Sequence, residues 1–116
     1  MDVEEWYPFA AGSTMGETGS EDGVILLDEE YSGGARITLE RDGSHAPFAI
    51  TCGIYGWMAH TRHFATEQEA NEAFEAMKAE LARIVDLIPL RDDPQVNKRA
   101  DEIVMEIEAF VLENFP

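Results

Sequence analysis

The spacing of the apolar residues changes once along this chain of 116 residues, near residue 65, and that change limits the folds the chain can adopt. Before this point apolar and polar residues alternate, as in Ala35 to Glu40, which is typical of a β-strand buried on one face. After it, apolar residues recur every three or four positions, which is typical of an amphipathic α-helix. Strands followed by helices predict an α+β fold.

The alternating part of the chain predicts an antiparallel meander of about four strands. Asp42-Gly43 is a tight-turn signal within it, and a further turn is expected at Tyr55-Gly56 because glycine interrupts the apolar run there. The predicted strands are one that begins at Val24 and ends at the Ser32-Gly-Gly turn, one over 35–40, one that begins at Phe48, and one over 57–64.

The residues before Val24 are predicted to contribute little to the sheet. The stretch from Val3 to Phe9 has the composition of a short edge strand, whose pairing Pro8 limits. Residues 10–23 contain four glycines, which predicts a mobile loop. This loop lacks the Gly-Lys-Ser/Thr ending of a phosphate-binding loop, so we do not expect it to bind phosphate.

Two amphipathic helices are predicted after the strands, both packed on one face of the sheet. The first covers Thr66 to Leu87 and begins with a capping box, in which Thr66 and Glu69 satisfy backbone amides of the first turn. Pro89 ends this helix, and Asp93-Pro94 predicts the start of the second. The stripe of the first helix contains Ala70, Ala73, Phe74, Met77, Leu81, Ile84, Val85 and Ile88. The residues predicted to be buried on the second are Val96, Ala100, Ile103, Val104, Ile107, Phe110, Val111 and Phe115.

The length fits a single domain over residues 1–116, and the net charge of −16 limits what that domain binds. The acids avoid the centre, since residues 31–66 contain Glu40 and Asp42 alone among the 24 acidic residues. A surface this negative repels the phosphates of DNA, RNA and anionic lipid, so no nucleic-acid or membrane partner is expected. The charge favours a basic protein partner instead, although adaptation to high salt would produce the same composition.

The N-terminus and the cysteine content predict a cytoplasmic protein. The first residues lack the basic and apolar regions of a signal peptide, and no apolar run approaches the roughly 20 residues of a membrane span. Cys52 is the one cysteine of the chain and forms no intramolecular disulfide, which fits a reducing compartment. Mid-strand among apolar residues, its thiol is expected to be unreactive.

We expect no cofactor and no metal site. His60 and His63 are the obvious candidate ligands, but residues three apart on a strand point to opposite faces and do not chelate one ion. His45 lies in a predicted hairpin loop and is expected to be solvated. The sequence contains no catalytic signature, so binding is favoured over catalysis.

Two sets of residues are candidates for binding. A sheet face left open by the helices would carry aromatic and basic side chains of the kind found in interface hot spots, and would serve a small-ligand or enzymatic domain. Acidic helix residues would instead dock a partner. The sheet-face set is Arg36, Tyr55, Trp57, His60 and Arg62, and the docking set is Glu102 and Glu106.

The leading hypothesis is a small acidic protein-interaction module, homodimeric, that acts by binding. One concrete form is an inhibitor or immunity-type protein that neutralises a basic partner. The small-ligand or enzymatic domain at the sheet face is the alternative hypothesis.

Overall fold

A computed structural model of the chain describes residues 6–32, 34–88 and 96–114, and these form one antiparallel sheet of five strands and two α-helices. The strands lie side by side in chain order, so the sheet is a simple meander. This confirms the predicted α+β fold, with the N-terminal edge strand as its fifth strand. The elements are β1 Trp6–Pro8, β2 Val24–Tyr31, β3 Ala35–Arg41, β4 Phe48–Ile54, β5 Met58–Phe64, α1 Glu67–Leu87 and α2 Val96–Glu113.

The register of the strands determines which residues share a side of the sheet. Ile37 lies opposite Cys52, and Leu39 lies opposite Ile50, so these residues occupy the side that the helices cover. A bulge between Ile25 and Leu27 moves the extra residue out of register. The helix-covered side carries the core residues Ala35, Ile37, Leu39, Ile50, Cys52, Ile54 and Phe64.

Helix α1 supplies the other half of the core. Thr66 is its N-cap, and the Thr66 hydroxyl accepts a hydrogen bond of 3.2 Å from the backbone N–H of Glu69, which confirms the predicted start. Most of the predicted apolar stripe is fully buried, and the rest is partly buried against the core. The fully buried members are Ala70, Phe74, Met77, Leu81 and Ile84, and the partly buried ones are Ala73, Val85 and Ile88.

Helix α2 completes the helical layer and is tied to the far edge of the sheet. Ile103, Ile107 and Phe110 are buried as predicted, but the prediction for Val104 was wrong: it is 44% exposed, because the helix turns it about 100° away from Ile103. Beyond them, the Asn114 carbonyl and side chain bond residues of β5. The predicted start of this helix at Asp93-Pro94 lies outside the described residues. Within the described part of the chain, no helix is both long enough and apolar enough to cross a bilayer.

We expect Leu81→Ala to lower the free energy of unfolding by about 2–5 kcal/mol, because the change removes buried methyl groups and leaves a cavity against the sheet. Urea unfolding at equilibrium measures this. Leu112→Ala is the matched control, since Leu112 is 76% exposed and the same change there should stay within about 0.5 kcal/mol. Equal losses in the two variants would show that the α1 stripe is not core.

Candidate functional site

Residues 9–23, here called the covering loop, fold back over the side of the sheet that the helices leave open. The chain reverses at Ala10, Ala11 and Gly12, whose φ angles of 50°, 56° and 86° make a left-handed turn. It then returns beside β2, where Gly16 N–H donates to Ile25 O at 2.8 Å and Ile25 N–H donates to Glu17 O at 2.9 Å. The loop is thus hydrogen-bonded to the sheet, and its predicted mobility stays a prediction.

The first anchor of the covering loop is Asp28, whose side chain is fully buried on the open side of β2. It accepts hydrogen bonds from Arg36 Nε at 2.9 Å and Arg36 Nη2 at 2.6 Å, and from Thr38 at 3.2 Å. Thr14 of the loop adds a bond of 2.8 Å. Phe9 closes the cluster, because the Arg36 guanidinium lies 3.6 Å from the centre of its ring.

The second anchor is Glu40, on the same side of β3 and 1% exposed. Its carboxylate accepts backbone N–H bonds from Gly23 at 3.0 Å and from Glu21 at 3.2 Å. Gly19 lies against this carboxylate so closely that a Cβ atom there would clash with it. The loop therefore needs glycine at position 19 to reach the sheet.

A cavity of about 610 Å³ lies between the covering loop and the open side of the sheet. That volume is in the range of small-ligand pockets, which is about 300–1,000 Å³. Its polar lining consists of six hydroxyl residues, the carboxylates of Glu17 and Glu40, and one cation, Arg36, which is already paired with Asp28. The hydroxyls belong to Thr14, Thr18, Ser20, Thr38, Thr51 and Tyr55.

The five residues predicted for a sheet-face site do not lie together. Arg36 and Tyr55 line the cavity on the open side, and the Tyr55 hydroxyl donates to Glu30 at 2.8 Å. Trp57 packs against the core. His60 and Arg62 lie opposite Cys52 and Ile50, and therefore on the helix-covered side.

Asn114 of α2 holds the two residues on the helix-covered side. His60 Nε2 lies 2.9 Å from Asn114 O, and Arg62 Nη1 donates to Asn114 Oδ1 at 2.8 Å. These contacts give His60 and Arg62 a structural role at the junction of α2 with β5. The open side keeps Arg36 and Tyr55 of the predicted set.

Two groups near the cavity are poor candidates for acid–base or nucleophilic chemistry. Burial raises the pKa of the Cys52 thiol to about 12. Partial burial, together with the hydrogen bond to Glu30, raises the pKa of Tyr55 to about 12 as well. Both groups stay protonated at neutral pH, so neither supplies a thiolate or a phenolate there.

The two acidic residues predicted to dock a partner have different surroundings. Glu102 is exposed on α2. Glu106 points towards α1, where its carboxylate lies 2.9 Å from Arg83 Nη2, so it joins the two helices. Glu102 is available to a partner, whereas Glu106 already has one within the chain.

The outward side of α2 combines acidic and apolar residues. Leu112 is 76% exposed and Met105 68%, which makes them the most exposed large apolar side chains of the described residues. They lie seven positions apart, which is about two turns, so they share one side of the helix. Their exposure shows that this side faces away from the buried stripe. We call this surface the outer stripe of α2, and it consists of Asp101, Met105, Glu108 and Leu112.

A third cluster joins three residues that no spacing pattern in the chain connects. Glu21 of the covering loop, His45 of the β3–β4 loop and His63 of β5 have side-chain ligand atoms that all lie within 4.8 Å of one another. The shortest separation is 3.2 Å, between His63 Nε2 and Glu21 Oε1. His60 and His63 diverge as expected, and it is His45 that approaches His63. The one sequence feature that could have indicated this cluster is the presence of a histidine, His45, in the predicted hairpin loop between β3 and β4.

Comparisons with protein-family models, with curated proteins and with solved structures gave no match.

We expect Asp28→Asn to destabilise the protein at neutral pH and to remove part of its acid sensitivity. Burial alone would raise the pKa of Asp28, but the hydrogen bonds from Arg36, Thr14 and Thr38 outweigh it and hold that pKa below the usual 3.8. An acid with a lowered pKa stabilises the fold above its unfolded value, and this contribution is lost as the pH falls through the folded value. An amide cannot accept all of these donors, and an unsatisfied buried group costs about 1–3 kcal/mol.

Urea unfolding at pH 7 and at several values below pH 4 measures this effect. The deficit of Asp28→Asn should be largest at pH 7 and should shrink in acid, where Asp28 of the wild type is protonated too. Asp101→Asn, the same change at an exposed site, should stay within about 0.5 kcal/mol of wild type. A loss of stability that does not depend on pH would mean that the negative charge of Asp28 does not contribute to the stability of the fold.

Proposed function

We propose that this protein is a binding module that docks a basic partner protein through the outer stripe of α2. The observation that supports the proposal is the exposure of Met105 and Leu112 within an acidic surface. Isolated exposed apolar side chains are ordinary, but Met105 and Leu112 lie about two turns apart on one side of the helix, with Val104 nearby at 44% exposure. They form a strip of apolar anchors interrupted by acids. Amphipathic partners bind such strips through apolar anchors at helical spacing.

The charge around the strip favours a basic partner. Asp101, Glu102, Glu108 and Glu113 are exposed around it, and residues 100–114 contain no lysine or arginine. A partner that carries Lys or Arg beside its apolar anchors would be attracted over distances of about 8–10 Å at moderate ionic strength. On docking, the acids of α2 would also reduce the repulsion among the partner's own positive charges. Acidic partners would be rejected by the same field.

A hollow beside the strip offers a place for one anchor side chain. It has a volume of about 360 Å³ and lies between Leu87 at the end of α1 and Met105 of α2. Ile103 lies at its base, and Glu102 and Glu106 lie at its edges. Both residues of the predicted docking set thus border the same hollow, Glu102 as an open charge and Glu106 as part of the wall that Arg83 fixes.

A second copy of this chain suits the surface less well. A homodimer formed through the outer stripe would bring the acidic residues of two copies together, and like charges across an interface cost several kcal/mol. The expected homodimer therefore becomes an outcome to be distinguished by experiment. The concrete form of the proposal is an inhibitor or immunity-type protein in the cytoplasm, and it rests on charge complementarity.

The cavity under the covering loop supports a second candidate, a small-ligand-binding domain. Its volume of about 610 Å³ and its hydroxyl lining suit a molecule that has hydrogen-bonding groups and no negative charge, because Arg36 is already paired with Asp28 and the carboxylates of Glu17 and Glu40 also line the cavity. The substitution Thr51→Trp would fill the cavity, since Thr51 lines it. Binding of a small molecule to the wild type that is lost in this variant would favour the second candidate over the first.

The docking proposal is tested with a synthetic lysine- and leucine-rich amphipathic helical peptide, compared with a peptide of the same composition in scrambled order. We expect the amphipathic peptide to bind more tightly. Met105→Ser combined with Leu112→Ser should weaken its binding at least about tenfold, because burying either side chain contributes about 1.5–3 kcal/mol. Both residues are exposed, so the fold should be unaffected.

A charge-reversal pair tests whether the acidic attraction is local. Glu102→Lys with Glu108→Lys should slow association more than Glu17→Lys with Glu72→Lys, which changes the net charge equally at exposed sites elsewhere. The difference should shrink at high salt. Equal slowing by the two pairs, or no effect of the serine pair, would contradict docking at α2. A wild-type dimer that the serine pair dissociates in sedimentation would assign the surface to self-association instead.

A further inference from the structure

Three polypeptide segments, distant in sequence, bring two imidazoles and one carboxylate to one point on the open side of the sheet. His63 lies on β5 opposite Ala49, and Ala49 lies opposite Glu40 of β3, so His63 and Glu40 occupy the same side. The Glu40 carboxylate binds the backbone N–H of Glu21, which places the Glu21 side chain beside His63. His45 joins them from the β3–β4 loop, with its ring centre 6.0 Å from that of His63.

Backbone contacts fix the positions from which these side chains extend. Ser44 N–H donates to Glu21 O at 3.0 Å, and the Ser44 hydroxyl donates to Asp22 Oδ2 at 2.8 Å. Gly43 makes this approach possible, because a Cβ atom there would lie only 2.8 Å from Glu21 O. Ser44, which precedes His45, is thereby held against the backbone of Glu21. A bound ion would therefore not have to bring the two loops together.

We infer that Glu21, His45 and His63 form a binding site for a divalent first-row transition ion, with Zn²⁺ as the best fit. Two imidazoles and a carboxylate are a known zinc ligand set, and three protein ligands leave one position for water. Ligand atoms about 2.0–2.1 Å from a tetrahedral zinc ion lie about 3.3–3.4 Å apart. His63 Nε2 and Glu21 Oε1 are already 3.2 Å apart.

The remaining adjustment of the ligand atoms falls mainly on the exposed side chains of His45 and His63. All three ligand atoms lie within 4.8 Å of one another, and His45 and His63 are exposed. Rotation of these rings closes the site without movement of the sheet. The inference replaces the expectation of no metal site, which considered His60 with His63 and not His45 with His63. It is independent of the docking surface on α2.

Calorimetric titration of the full chain with Zn²⁺, in excess Mg²⁺, tests the site. Magnesium prefers oxygen ligands and occupies general acidic surface, but it competes poorly for imidazole. We expect one saturable zinc site per chain. His45→Ala and His63→Ala should each weaken it by more than about 100-fold, because even the loss of an outer partner of a metal ligand costs about 10–100-fold. Glu21→Gln should weaken it as well.

His60→Gln is the matched control, since it removes the third histidine of the chain, on the other side of the sheet, and should leave the zinc affinity unchanged. Urea midpoints without zinc verify that each variant is folded. Bound zinc should also slow exchange of the Ser44 amide hydrogen, which bonds Glu21.

The inference would be overturned by any of three results. The first is an absence of saturable binding, which leaves the His63–Glu21 contact as a hydrogen bond within the chain. The second is an affinity unchanged in His45→Ala and His63→Ala. The third is half a zinc per chain with zinc-dependent dimerisation, which would place the ion between copies.

Discussion

The burial of two carboxylates on the open side of the sheet is the constraint on which the rest of the structure depends. A buried, unpaired carboxylate is costly, and each must be hydrogen-bonded to remain in the fold. Asp28 meets this requirement with Arg36, Thr38 and Thr14, and Glu40 meets it with backbone amides of residues 21 and 23. Among the described residues, no buried side-chain polar atom lacks a hydrogen-bond partner.

The covering loop supplies part of those hydrogen bonds, so its path follows from them. Displacing it would expose Glu40 to water and would remove Thr14 from Asp28. The same path creates the cavity above Thr38 and Thr51 and carries Glu21 to His63. One electrostatic requirement therefore sets both the cavity and the proposed zinc site.

The elements of the fold were predictable because their signals are local, whereas the site was not, because its contacts cross strands. Alternation identified β3, and three- and four-residue spacing identified α1. Alternation within one strand does not show, however, which residues of the next strand lie on the same side of the sheet. The turn over 55–57 sets His60 opposite Cys52 and so moves His60 and Arg62 away from Arg36. Similarly, alternation within β2 and β3 does not reveal that Asp28 and Glu40 are buried, because the loop that covers them has no periodicity.

The pairing of the cations explains why α2 stays so acidic. In the part of the chain that the structure describes, Arg36, Lys78 and Arg83 each contact an acid of this chain, and Arg62 binds Asn114. None of these four lies on α2, and residues 101–114, which include the outer stripe, contain no lysine or arginine. Salt or a basic partner would balance the charge of the stripe. Acidity that served only to retain water and salt would not require Met105 and Leu112 among the acids, since exposed apolar surface works against solvation. Apolar residues rimmed by unbalanced acids favour a partner that has both anchors and positive charge.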